Sequence, residues 1–89
     1  MTVKARIELY GRLSELYGDR LEIELASEPS VEELLSALSK RIPEAISANG
    51  SPKPGVLVFI NGVDVRILDK SERLGENILV EIIQVFHGG

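Results

Sequence analysis

The chemistry-bearing residues of this 89-residue chain lie at its end, in Phe86-His87-Gly88-Gly89. Strand-like residues run up to Phe86, so His87, Gly88 and Gly89 are expected to project from a domain rim as a short extended tail ending in a carboxylate. Ordering a tail costs about 1–2 kcal/mol per residue, and more for glycine. Glycine is therefore a poor choice for affinity, but it suits a tail threaded down a narrow channel where any Cβ would collide. A carboxylate is a weak electrophile until activated. If a partner holds ATP, the carboxylate oxygen can attack the α-phosphorus, giving an acyl-adenylate, and a sulfur or amine nucleophile can then displace AMP. Gly89 would be the reacting residue and Gly88 would give clearance. His87, with a reference pKa of about 6.5, would contact the activating partner or carry a proton near the carboxylate, with a solvated bystander as the alternative. Phe86 would either anchor a partner or pack on the sheet rim.

Other chemistries lack residues. There is no cysteine, hence no disulfide, thiolate or cysteine-based zinc site, and the single histidine lies in the tail. No Ser/His/Asp set, Walker-type loop or Gly-x-Gly-x-x-Gly after a strand occurs. The chain is expected to be no enzyme and to hold no metal or cofactor, ATP being used by the partner. Fourteen acidic against ten basic residues give a net charge of −4, which argues against a nucleic-acid surface. No apolar run reaches the roughly 18 residues of a membrane span, so no membrane partner is expected. The N-terminus starts directly into a strand pattern, which makes cytoplasmic the expected location.

The elements that must position the tail follow from periodicity. Val3, Ala5, Ile7 and Leu9 alternate with polar residues as a half-buried strand. Gly11–Asp19 reads as a connection in which Leu13, Leu16 and Tyr17 cap the core, and Leu21, Ile23 and Leu25 face inward from a second strand. Ser30-Val31-Glu32-Glu33 is a capping box. Behind it Val31, Leu34, Leu35, Leu38 and Ile42 form one helical stripe that Pro43 ends. Residues 44–55 read as a surface loop with room for one helical turn near Ala45–Ala48. Val56–Ile60 is apolar on both faces, and Asn61-Gly62 is a type I′ hairpin signal. Val63–Ile67 is expected to return as a strand, Asp69–Asn77 to be a polar connection, and Leu79–Phe86 to be the last strand.

This β-β-α-β-β-β order, with the last strand buried beside the first, predicts an α+β fold of the β-grasp (ubiquitin-like) type. A mixed sheet of four to five strands would pack on one main helix. The domain would span 1–86, with a flexible tail at 87–89. Only one helix is available to cover one sheet face. Either Leu57 and Phe59, or Val56, Val58 and Ile60, must therefore face away from it as an interaction surface, and Phe59 is the candidate partner-binding residue there.

The stretch Lys53-Pro54-Gly55-Val56-Leu57-Val58-Phe59-Ile60-Asn61-Gly62-Val63-Asp64, with the terminal Phe86-His87-Gly88-Gly89, resembles the ubiquitin-related modifier family. Leu9–Gly18 resembles the related small subunit of molybdopterin synthase and the thiamine sulfur carrier. The resemblance implies adenylation of Gly89 by a ubiquitin-activating-type enzyme and conversion to a thiocarboxylate. The sulfur is then donated, as in tRNA thiolation, or the tail is linked to lysines of target proteins. The molybdopterin subunit usually ends in Pro-Pro-Val-x-Gly-Gly, whereas this chain has Gln84-Val85-Phe86-His87-Gly88-Gly89, which favours the modifier. Against this, Val65 stands where the modifier commonly has an aromatic residue. The alternatives are sulfur donation to molybdopterin and, in a different class, an interaction module of the same fold without terminal chemistry.

Overall fold

A computed structural model of the chain describes residues 1–85. The alternating N-terminal segment forms β1 (Thr2–Tyr10), followed by a short helix α1 (Arg12–Tyr17) and β2 (Arg20–Ala26). The capped stripe forms α2 (Val31–Arg41), and β3 (Val56–Ile60), β4 (Val63–Asp64) and β5 (Ile78–Gln84) complete the chain. The sheet order is β2-β1-β5-β3-β4. β1 and β5 run parallel, and every other neighbouring pair is antiparallel.

Helix α2 covers one face. Val31, Leu34, Leu35, Leu38 and Ile42 are buried in one cluster with Ala5, Ile7, Leu9, Ile23, Val56, Val58, Ile60, Val80 and Ile82. The capping box forms as expected: Ser30 Oγ accepts from the Glu33 N–H at 3.0 Å, and Glu33 Oε1 accepts from the Ser30 N–H at 2.8 Å. The Ser30 backbone N–H, then its hydroxyl, holds the Glu33 carboxyl below the usual carboxylate range. The next two amides of α2 donate to the connection before β5, Val31 to the Glu72 carbonyl and Glu32 to the Lys70 carbonyl, both at 2.9 Å. A segment expected to be a polar connection is thus tied across the helix N-terminus, with Leu74 buried beneath it.

Three expectations need correction. Gly11–Asp19 contains α1, which buries Leu13 but leaves Leu16 54% exposed, so Leu16 does not cap the core. Residues 44–55 hold no helix. Instead Ile46 bridges Pro52, and Ala45 and Ile46 are fully buried, so the loop contributes to the core. The strand expected over Val63–Ile67 ends after Asp64 and turns into a 3₁₀ helix, Val65–Ile67. The physical reason is the Asp64 carboxylate, which accepts from the Arg66 backbone N–H at 2.9 Å and caps that turn. It also pairs with the Arg66 guanidinium at 2.7 Å. Strand β3 is an interior strand, paired on one side with the central β5 and on the other with the edge strand β4, in keeping with its apolar residues at both parities.

Candidate functional site: the tail root and the open sheet face

Of the residues singled out for chemistry, Phe86, His87, Gly88 and Gly89 lie outside the described residues, as does the domain boundary at 86. The structure does define the platform before them. Strand β5 is held between β1 and β3, and Tyr10, Ile83 and Leu57 lie in register across the three strands. Just past the strand, the Val85 N–H donates to the Gly55 carbonyl at 2.7 Å. On the other side Gly11, at φ +73°, passes so close that a Cβ there would sit 3.2 Å from the Gln84 carbonyl oxygen. Two glycines, Gly11 and Gly55, thus flank the end of β5. They allow backbone to approach backbone and set where the chain leaves the sheet.

The face away from α2 is settled by register. Val56, Val58 and Ile60 are buried toward the helix, so Leu57 and Phe59 lie half-buried on the open face. Leu79, Glu81 and Ile83 of β5 share that face. Its row at the end of β5 is apolar, Tyr10-Ile83-Leu57, with Val85 42% exposed just beyond. The next row is Glu8-Glu81-Phe59-Asp64, in which Phe59 stands between two carboxylate-bearing residues. The Tyr10 hydroxyl donates to Glu8 Oε1 at 3.0 Å, and this bond raises the phenol above its ordinary pKa. Phe59 therefore lies on the face turned away from α2, one of the two placements the sequence left open. The apolar row beside the tail root, with Tyr10 and Ile83, was missed by sequence reasoning. Its signal was apolar residues at both parities of β5, which only the register resolves into two faces.

No group of three or more His, Cys, Asp or Glu side chains among the described residues could hold a metal ion. Among the described residues no helix is long and apolar enough to cross a membrane. What the arrangement offers is a partly apolar open sheet face beside the held end of β5.

A five-stranded mixed sheet in this order over one long helix defines the β-grasp, ubiquitin-like fold. The structure is similar to SAMP1 from Haloferax volcanii, with a TM-score of 0.71 and 18% identity over 97% of this chain and 99% of that one. Urm1 from Sulfolobus solfataricus superposes with a TM-score of 0.64 and 25% identity, covering 90% of this chain and 99% of that chain. A Pyrococcus furiosus protein described as a molybdopterin converting factor, subunit 1, gives 0.65 and 22% identity over 94% and 99%. No curated protein matches the sequence. The model of the ThiS family matches residues 7–89, and the chain belongs to that family of small ubiquitin-like sulfur carriers.

Proposed function

We propose that this protein is a sulfur carrier whose Gly89 carboxylate is adenylated by a ubiquitin-activating-type enzyme, converted to a thiocarboxylate and used for tRNA thiolation, with lysine conjugation as a second outlet. The observation that carries this reading is the apolar row Tyr10-Ile83-Leu57 lying beside the held end of β5. A partner docked on that face receives the following residues at a fixed entry point. The family match running to residue 89 supports it, because the matched region includes both glycines.

In the first step a Gly89 carboxylate oxygen attacks the α-phosphorus of ATP held by the partner, and pyrophosphate leaves. The terminal sulfur of a partner's persulfide then attacks the acyl carbon and expels AMP. A second thiol of the partner cleaves the resulting acyl disulfide, leaving –COSH on this chain and a disulfide on the partner. Both thiols must come from outside, since the chain has no cysteine. Members of the family are small carriers, and in this reading the chain supplies position and a carboxylate while the partner supplies catalysis.

Deleting the gene in its host tests the destination. The expected result is loss of 2-thiolated uridine from tRNA hydrolysates with molybdenum-enzyme activity retained. Intact tRNA thiolation with lost molybdenum-enzyme activity would overturn the tRNA assignment and favour molybdopterin.

A further inference from the structure

Strand β2 is an open edge of the sheet and is seven residues long, whereas the opposite edge, β4, has only two. It contains neither proline nor glycine, and its register with β1 is unbroken from Arg20 to Ala26. Which of its backbone groups are free follows from the pairing. The Leu9 N–H donates to the Asp19 carbonyl and the Ser27 N–H to the Met1 carbonyl, which makes the odd-numbered residues of β2 the ones that bond to β1. The N–H and C=O of Arg20, Glu22, Glu24 and Ala26 therefore point outward. Among the described residues no hydrogen bond reaches them. Such an edge is a template for another strand unless something blocks it.

The side chains along this edge specify what fits. On its inner side β2 meets Lys4 opposite Glu24, Arg6 opposite Glu22 and Glu8 opposite Arg20, with Ala5 and Ile7 between them facing the core. Charge thus inverts from the β2 column to the β1 column on the open face. A strand added outside β2 meets the same three side chains, with half-buried Leu21 and Leu25 on the helix side. A second copy of β2 fits badly. Only even-numbered residues hold free groups, and every antiparallel register of β2 on itself using three or more of them sets Glu22 or Glu24 against an acid. Like charges directly opposite are destabilising.

We infer that the free edge of β2 is a docking site for an extended segment of another protein that runs antiparallel to it. That segment places basic residues opposite Glu24 and Glu22, an acidic residue opposite Arg20 and apolar residues between them. Main-chain hydrogen bonds give such strand addition its affinity, and the alternate side chains give its specificity. The site lies on the far side of β1 from β5, so it can be filled while the tail is engaged elsewhere.

The probe is the acetylated, amidated peptide Thr-Lys-Val-Arg-Val-Glu-Thr, titrated into the full ¹⁵N-labelled chain. Saturable shifts and slowed hydrogen exchange are expected at the amides of Arg20, Glu22, Glu24 and Ala26, because those of Leu21, Ile23 and Leu25 are already bonded. The peptide with its charges reversed should bind the natural chain about tenfold more weakly, and the double variant Glu22→Lys, Glu24→Lys should invert that preference. The peptide comparison on the natural chain stands even if the variant fails to fold. The inference is overturned by the absence of saturable shifts, by equal binding of both peptides, or by shifts centred on Tyr10, Leu57 and Ile83. It is also overturned if raising the protein concentration alone produces the same changes at β2, which would make the occupant a second copy. Neither ATP nor an activating enzyme enters the experiment, so its failure leaves the reading of Gly89 untouched.

Discussion

Removing Gly89, or adding one residue after it, is expected to abolish ATP–pyrophosphate exchange by the activating enzyme while leaving urea unfolding unchanged. One residue of extended chain spans about 3.3–3.6 Å. The reacting oxygen must lie within about 3–3.5 Å of phosphorus, and a misplacement of only about 1 Å can cost 10²-fold in rate. A chain end held at its root cannot make good a full residue by sliding. Ile83 is locked between Tyr10 and Leu57, and Val85 is bonded to Gly55. Stability should not change, because the described core ends with β5 and its last fully buried side chain is Ile82. Exchange at the natural rate by either variant would show that Gly89 is not the reacting residue.

Leu57→Asp should weaken binding to the activating enzyme by about 30-fold or more, the effect of losing an interface hot spot worth about 2 kcal/mol. Leu57 lies on the open face, half-buried, in the apolar row next to the tail root. A carboxylate there must be desolvated against an apolar partner, whereas in the free protein it remains partly in water. Val58, its buried neighbour toward α2, is the contrast: Val58→Ala should lower stability and leave the affinity of the folded fraction unchanged. Titration calorimetry beside urea unfolding separates the two effects. Unchanged affinity for Leu57→Asp would move the docking face elsewhere.

The local signals in the sequence were strong where one residue type does one job. Ser30 and Glu33 make the capping box wherever the helix lies, and Asn61 and Gly62 adopt the positive φ values, 49° and 84°, that a type I′ turn requires. The stripe from Val31 to Ile42 is buried in full because helical spacing alone dictates its face. The errors arose where a local hydrogen bond or a distant pairing decides. Val63–Ile67 alternates like a strand, but the Asp64 carboxylate bonds two residues on and stops it. The six residues of α1 are too few for periodicity to appear. The open face could not be assigned, since Val56–Ile60 is apolar at both parities and only its pairing with β5 chooses Leu57 and Phe59 for the outside. The tail root was invisible for the same reason: Gly11 and Gly55 meet the end of β5 from segments far away in sequence.

The central claim is that the terminal carboxylate becomes a thiocarboxylate, and intact-mass analysis of the protein purified from its own host addresses it directly. A fraction of the chain should gain the mass difference of one sulfur replacing one oxygen. Tandem fragmentation should place that gain on Gly89, and the gain should disappear when the activating enzyme is deleted. Recovery of free carboxylate alone, under conditions in which a reference thiocarboxylate survives purification, would contradict the sulfur-carrier account.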